Sequence, residues 1–570
     1  MAPDAPIILP QSGVRNVLVT SALPYVNNVP HLGNIIGSVL SADVFARYCR
    51  GRGINTLYVG GEQRPSFRQV RADLSGTDEY GTSTETRAQK EKCSPRELCD
   101  KFHAVHAQVY KWFNISFDVF GRTTTQQHTD ITHHIFHKLE KHGFLEERPT
   151  PQPYCNTHGS FLADRLIEGQ CPLCKFPDAR GDQCDGCSQL LEPINLVGPR
   201  CKLDGTMPVT HETRHVFFKL DKLQPQVESM LHNVEKRWPT NARSATATWL
   251  KQGLKPFTIT RDIRWGVPVP GYDKVFYSWF DACIGYVSIT ACYTDQWERW
   301  WRNPDVQLYQ FIGKDNVVFH SVVFPATQIG TGDVWTKVHH LSTTDFLTYE
   351  GGKFSKSRGV GVFGDSVQQT DVPPDVWRFY LLSCRPETGD TEFRWEGLIE
   401  VNNNLLFNGV GGFVSRVLRL VVDEYSSVVP RWSEDYGFVK VTNDLLNRYI
   451  KEMDGVELRA GLLTALEISR CGDTLLSGDL HTQERASVVG LTVNLVHLLA
   501  SLLAPYMPDT AAAINTQLQA APLPLPKCWC ADSIKMGHRV AASENMFFWI
   551  DPPRAEEWRK EFGGGEDMCR

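Results

Sequence analysis

The sequence predicts an α/β fold: a parallel sheet split by a cysteine-rich insertion and followed by an all-helical C-terminal part. Three observations carry this. Short β-branched runs alternate with helical patterns in the first half, and paired cysteines replace periodicity between residues 152 and 209. Beyond about Trp395 the apolar pattern becomes helical, with few strand signals.

VRNVLVT, residues 14–20, has the look of a buried strand. From Gly33 onward Ile35, Ile36, Val39, Leu40, Val44 and Arg47 recur at helical spacing, and NTLYVGG at 55–61 predicts the next strand. Strand, helix and strand make a βαβ unit, which implies parallel pairing. Strand-like texture returns in KPFTITRDIRWGVPVPG, KVFYSWFDACIGY and VQLYQFIGKDNVVFHS. The stretches NRYIKEMDGVELRAGLLTALEISR and ASVVGLTVNLVHLLASLLAPYM then predict a helical bundle, and APLPLPKC at 521–528 ends it. Internal repeats and coiled-coil heptads are absent from the pattern.

A chain of 570 residues exceeds one ordinary core and suits roughly three or four domains. Hydrophobic residues at 42% and charged residues at 22% are globular values, which excludes wholesale disorder. A formal net charge of −6 excludes a surface that is basic all over, so nucleic-acid contact requires a local basic patch. The opening MAPDAPIILPQSG lacks the layout of a signal peptide, and no apolar run approaches the ~20 residues of a membrane span. A cytoplasmic protein without membrane contact is expected. Sixteen cysteines in such a compartment are thiols or metal ligands rather than disulfides, and six fall between Cys155 and Cys201.

Two motifs carry chemistry. EGGKFSKSRG at 350–359 is a cationic loop on glycine hinges, and SALPYVNNVPHLGN at 21–34 joins the first strand to the first helix. Alone, each is most often a solvated turn. A strand–turn–helix junction in a parallel sheet presents backbone N–H groups and the helix dipole at the sheet's carboxyl edge, where anions bind. His31 sits at the helix entry as a donor, and Gly33 leaves room for a flat base. Together, more than 300 residues apart, the motifs predict opposite jaws around a polyphosphate.

Spacing also singles out Cys171-x2-Cys174-x9-Cys184-x2-Cys187, two close pairs suited to a closed tetrahedral zinc site of structural kind. Cys155-x2-His158 and Cys201-x2-Asp204 form a weaker second set, and spacing does not fix which pairs share an ion.

HLGN and KFSKS resemble the two signature motifs of class I aminoacyl-tRNA synthetases. ALPYVNNVPHLGN, GTDEYGT, CPLC…CDGC, WFDACIGY and KDNVVFHS are similar to the cytosolic methionyl-tRNA synthetase family over nearly the whole chain. The resemblance implies a Rossmann-like catalytic domain at 14–135 and 241–345, with a zinc-knuckle connective insertion at 136–240. It further implies a stem-contact region with the KFSKS loop at 346–398, an α-helical anticodon-binding bundle at 399–545 and a tail at 546–570. The implied activity joins L-methionine to ATP as methionyl-adenylate with release of pyrophosphate, then transfers methionine to the 3′ end of tRNA(Met), initiator tRNA included. Mg²⁺ would accompany ATP. Lys356 reaches the phosphates, Lys353 supports it, and His31 and Asn34 stabilise the transition state from the helix side. Pro30, Gly33, Ser355 and Ser357 complete the ATP contacts. Lys314 is a further ATP candidate and Arg261 a pyrophosphate candidate, each balanced against a salt-bridged scaffold role. Glycines 351, 352 and 359 let the loop act as a lid.

Leu23, Tyr25, Trp279, Ala282, Tyr286 and His320 match the family's methionine pocket, with Asp78 holding the ammonium. Such a slot suits a thioether, because sulfur favours aromatic contacts. Trp279 and Tyr286, seven apart, share a face if that stretch is helical, and Cys283 stands where a small or apolar residue is expected. A pocket of this kind gains only ~1–3 kcal/mol per methylene, so rejecting homocysteine calls for editing, yet no separate editing domain fits. The insertion is expected over the active site, where the acceptor end of tRNA arrives.

The chain also departs from the family. GEQRPSFRQVRADLS at 61–75 is an added stretch just before Asp78, able to displace that carboxylate. Asn408 matches an anticodon-reading asparagine, but Gly412 replaces a polar or basic residue, and EISRCGDTLLSGDLHTQER is too short for the family's base-stacking Pro-Trp pair. Impaired anticodon reading is expected. Valyl, isoleucyl and leucyl synthetases need a large editing insertion missing here. A weakened paralogue acting as a zinc-containing RNA-binding module is the competing reading. The resemblance leaves oligomeric state and membership of a multi-synthetase complex open.

Overall fold

The structure is a computed structural model of the chain. It describes residues 6–60, 77–181, 184, 186–187, 191–232, 234–352, 354, 359–433, 435–478 and 482–563. The added stretch at 61–75 and Lys353, Ser355, Lys356 and Ser357 lie outside the described residues.

The first strand, β1, is Asn16–Ser21, buried at all six positions. It begins two residues later than its sequence pattern because Val14 is exposed. A continuous helix follows in three segments, Leu32–Asn34, Ile35–Val39 with π geometry and Leu40–Gly51, and β2 is Asn55–Val59. Val306–Gly313 forms β3 and Val338–Thr344 forms β4. The order is β4-β3-β1-β2, with every pairing parallel. The chain thus leaves β1 towards β2 and later returns beside β1 on its other edge. The crevice at the carboxyl ends of β1 and β3 is the switch point where ligands bind in open α/β sheets.

The strand reading of KVFYSWFDACIGY fails except at Val275–Phe276. The chain turns into helices Ser278–Asp281 and Ile284–Tyr293. Helix Ile284–Tyr293 is buried through its first seven residues, so its apolar run has no polar face to reveal a helical period.

The insertion is built on Leu145–Cys155, paired antiparallel with Val209–Phe218 along nearly its whole length. Phe257–Thr258 extends that sheet, so the insertion's sheet continues past residue 240. A smaller sheet of Ile167–Gln170, Ala179–Arg180 and Val197–Cys201 flanks the cysteines.

The C-terminal bundle contains Tyr436–Asp454, Leu458–Leu476, Thr482–Leu503 and Pro508–Gln517. Contrary to the sequence expectation, two helical stretches, Trp395–Tyr425 and Glu484–Leu503, are long and apolar enough to cross a membrane. In the second, 89% of the apolar window is packed inside the bundle, so its hydropathy serves the core. The tail returns: helix Arg554–Phe562 lays Trp558 and Phe562 against Trp395, and Arg559 bonds Glu350 at 3.3 Å at the foot of the 350–359 loop.

Arg378 joins the two halves. Its fully buried guanidinium bonds Asp43 at 2.7 Å on the first helix and donates to the carbonyls of Phe113, Pro505 and Tyr506 at 2.8–2.9 Å. Burial alone would raise the Asp43 carboxyl, but the guanidiniums of Arg47 and Arg378 hold it at about 2. Removing one partner strands a buried charge, so Arg378→Ala should cost about 3–5 kcal/mol. Breaking the exposed Arg485–Glu424 pair should cost under about 1 kcal/mol. Thermal midpoints of Arg378→Ala and Arg485→Ala compare the two; equal shifts contradict the joint.

Candidate active site

A cavity of about 500 Å³ opens at the carboxyl ends of β1 and β3. Leu23 and Tyr25 line it from the loop after β1, Pro30, His31, Gly33 and Asn34 from the helix entry, and Trp279 from the opposite wall.

His31 caps that helix reciprocally: the Asn34 N–H donates to His31 Nδ1 at 3.3 Å, and the His31 N–H donates to Asn34 Oδ1 at 3.2 Å. With Nδ1 accepting, hydrogen bonding assigns the ring proton to Nε2. A Cβ at Gly33 would stand 2.9 Å from His31 Cε1, so the glycine makes room for this ring. Desolvation lowers His31 to about 4, which leaves it a neutral donor at pH 7.

The loop's footing meets this jaw. Phe354 stacks on His31 at 4.9 Å and 8°, and His31 bridges to Phe363. Gly351 and Gly359 hold φ of +80° and +67°, left-handed conformations that favour glycine at both hinges. Lys353, Ser355, Lys356 and Ser357, between them, are outside the described residues.

Behind Trp279 lies a buried polar group. Tyr286 donates from its hydroxyl to His320 Nε2 at 2.9 Å, while His320 Nδ1–H donates to the Asn316 carbonyl at 2.9 Å. Burial lowers His320 to about 4. Cys283 Sγ lies 3.7 Å from the same Nε2, and burial keeps it a thiol. Trp279 stacks on Phe319 at 4.0 Å and stands edge-on to Tyr25 at 6.4 Å. Trp279 and Tyr286 do not share one helix, because a turn at Ala282 and Cys283 separates their two helices. Asp78 is buried beside Tyr25, held by its N–H to the Pro24 carbonyl at 3.0 Å. Burial and the neighbouring Asp281 and Glu79 carboxylates push its carboxyl well above the usual range. A ligand ammonium is the charge this acidic group would welcome.

Two predicted residues are held in ion pairs, Lys314 at the cavity's edge and Arg261 away from it. Lys314 bonds Asp390 at 2.8 Å and Asp345 at 3.3 Å over the Phe346 ring. Arg261 bonds Asp164 at 3.0 Å and covers the Tyr277 ring at 3.4 Å, lining a separate small cleft. Their geometry is that of the scaffold alternative. Sequence reasoning missed Arg165, which lines the cavity and covers the Tyr25 ring at 5.8 Å, and Phe319. Phe319 stood next to the named His320 in VVFHS, whereas Arg165 lay in LADRLIEG between the cysteine pairs, and the spacing of neither gave a signal.

The sulfurs of Cys171, Cys174, Cys184 and Cys187 lie within 4.8 Å of one another. The 171–187 and 174–184 separations are 4.0 and 3.5 Å. Four thiolates ~2.3 Å from a tetrahedral zinc are ~3.8 Å apart, so the set fits that ion. Backbone N–H groups of Leu173 and Gly186 already point at Cys171 and Cys184 sulfurs. Cys155, His158, Cys201 and Asp204 also converge, with Cys155 Sγ 3.2 Å from His158 Nδ1 and Asp204 Oδ2 3.5 Å from that nitrogen. Asn408 is exposed on the long helix, beside a groove that Gly412 also lines.

Comparisons with known proteins agree with this layout. The family model described as tRNA synthetases class I (M) matches residues 17–418, and the anticodon binding domain of methionyl tRNA ligase matches 438–567. A probable cytoplasmic methionine–tRNA ligase of Schizosaccharomyces pombe is 51% identical, over 98% of this chain and 72% of its own. The cytoplasmic methionine–tRNA ligase of Saccharomyces cerevisiae is 48% identical, over 98% and 75%. In fold, the chain is similar to the methionyl-adenylate-bound methionyl-tRNA synthetase of Mycobacterium tuberculosis, with TM-score 0.74, 20% identity and 94% and 100% coverage.

Below pH about 6.5 an unfolded chain protonates its histidines, whereas His31 and His320 stay neutral in the fold until about 4. The fold therefore binds fewer protons in that window, and stability should fall as pH drops from 6.5 to 4 and stay level above 7. Urea midpoints at pH 7.5, 6 and 5 test this, and His320→Gln should flatten the slope.

Proposed function

The chain belongs to the methionyl class I tRNA synthetases, and from its site we propose how it carries out ATP-dependent ligation of methionine to tRNA in the cytoplasm. The stack of Phe354 on His31 carries the proposal, since it brings the foot of the cationic loop to the helix mouth.

ATP lies across the cavity with its α-phosphate at the Asn16–Ser21/Leu32–Gly51 junction. The methionine carboxylate attacks that phosphorus, the P–O bond to pyrophosphate breaks, and the nucleotide becomes methionyl-adenylate. Neutral His31 offers Nε2–H to a phosphoryl oxygen, and Asn34 holds its ring by the reciprocal cap. Lys356 and Lys353 stabilise charge growing on the phosphates, with Ser355, Ser357, Pro30 and Gly33 in supporting contact. Mg²⁺ bound to ATP would neutralise phosphate charge. Asp78 takes the methionine ammonium, while Leu23, Tyr25, Trp279 and Ala282 wall the side chain. Tyr286 and His320, bonded to each other, define the floor. A hydroxyl at the 3′ end of tRNA(Met), initiator included, then attacks the methionyl carbonyl and AMP leaves. Lys314 and Arg261 serve as scaffold through their ion pairs.

Zinc bound by Cys171, Cys174, Cys184 and Cys187 would cross-link the insertion. Cys155, His158, Cys201 and Asp204 form a second, mixed donor set that would hold a second zinc ion. Asn408 contributes to reading the anticodon from the long helix.

ATP–pyrophosphate exchange with methionine, valine, leucine and isoleucine tests the activity: exchange with methionine alone is expected, and silence with all four favours the RNA-binding module. Lys356→Ala should lower adenylation by orders of magnitude with methionine binding nearly intact; a drop under about tenfold removes the loop from the chemistry. Cys174→Ser should remove one bound zinc by elemental analysis, and Cys201→Ser a second; unchanged zinc in Cys174→Ser removes the four-thiolate site.

A further inference from the structure

The tail segment before helix Arg554–Phe562 presents two large aromatic rings to solvent: Phe548 is 47% exposed and Trp549 48%. They are not on a loose end. Asn402 donates to the Phe548 carbonyl at 2.9 Å, and Asn403 exchanges two bonds with Ile550 at 2.7 and 3.0 Å. Both asparagines are buried. One residue earlier, Phe547 is buried over Gly411, where a Cβ would meet its ring at 2.8 Å. The glycine thus lets the tail lie directly on the long helix. Four consecutive tail residues are fixed, and the Trp549 ring is held edge-on to Phe407 at 6.0 Å.

Beside this platform runs a groove of about 260 Å³ between the long helix and residues 545–547. Its rim carries Arg416 and Arg419, and Asn408 lines it. Arg416 is ion-paired with Asp473, and its Nη1 would lie 3.3 Å from a Cβ at Gly412, so the glycine leaves this guanidinium its space. Arg419 donates to Asn545 on the tail at 3.3 Å. A flat exposed ring, two guanidiniums and a carboxamide beside one groove match an unstacked nucleobase with its phosphates.

We propose that Trp549 is a base-stacking residue for the anticodon loop of the bound tRNA, in place of the Pro-Trp pair that the bundle lacks. The proposal rests on the ligase reading above. An acidic or apolar protein partner fits less well, because the groove combines cations with a carboxamide and the aromatic pair is small.

The test uses the full chain and two RNAs, an anticodon stem–loop with a CAU loop and an acceptor-stem RNA without one. Trp549→Ala should weaken stem–loop binding about tenfold or more and raise KM for tRNA(Met) in charging. Methionine-dependent exchange and charging of the acceptor-stem RNA should stay at wild-type level, and Trp549→Tyr should restore most of the affinity. Unchanged stem–loop affinity in Trp549→Ala overturns the proposal, whatever the exchange assay gives. Equal losses on both RNAs overturn it too, since they indicate a general structural effect. Failure of the ligase reading is distinct: it appears as absent methionine-dependent exchange in the wild type.

Discussion

The site depends on one constraint, the reversal of strand order between β1 and β3. Parallel strands end at a common edge, and there the connections diverge to opposite sides of the sheet. The loop after β1 and the turn after β3 both open into the resulting crevice. Tyr25, from the first, and Asp315, from the second, line the same cavity. The first helix begins at this edge, and the reciprocal His31–Asn34 cap occupies the N–H groups of both residues, with Nδ1 as the acceptor. The cap therefore orients the His31 ring at the same time as it closes a helix end.

Charge is distributed around this crevice by burial. Three carboxylates, Asp78, Glu79 and Asp281, sit in the apolar interior beside the pocket. Glu79 is ion-paired with Arg122 at 2.7 Å, and Asp281 is hydrogen-bonded to His128 at 3.1 Å. Asp78 is anchored by backbone bonds, and burial and the neighbouring carboxylates raise its carboxyl well above the usual range. The insertion contributes from the other side, through Arg165 over Tyr25.

Much of this was legible in the sequence because the signals were local. The strand–turn–helix at 21–34 and the paired cysteines are fixed by residues a few positions apart, and both appear in the structure as expected. Apolar stretches were less legible. WFDACIGY has no polar face to show its period, so its strand-like texture concealed two helices and the turn between Trp279 and Tyr286. Lys314 and Arg261 were ambiguous for another reason: a cation near a phosphate site and a cation in an ion pair look alike until the carboxylates are located, and Asp390 lies 76 residues from Lys314.

The return of the tail is the least legible feature, and it has the broadest consequences. Residues 545–562 read as an ending, yet they contact the long helix at Asn402 and Asn403, pack Trp558 and Phe562 on Trp395, and bond the foot of the cationic loop through Arg559. Each contact spans well over a hundred residues, and loop-closure entropy rises only slowly with such lengths. One segment therefore touches both the groove beside Asn408 and the hinge at Glu350. Two paths join the groove to the hinge: the tail, through Trp558 and Arg559, and the long helix itself, whose Trp395 N–H donates to Glu350 at 2.9 Å. Both paths end on the Glu350 carboxylate, so the tail and the long helix fix the foot of the 350–359 segment together.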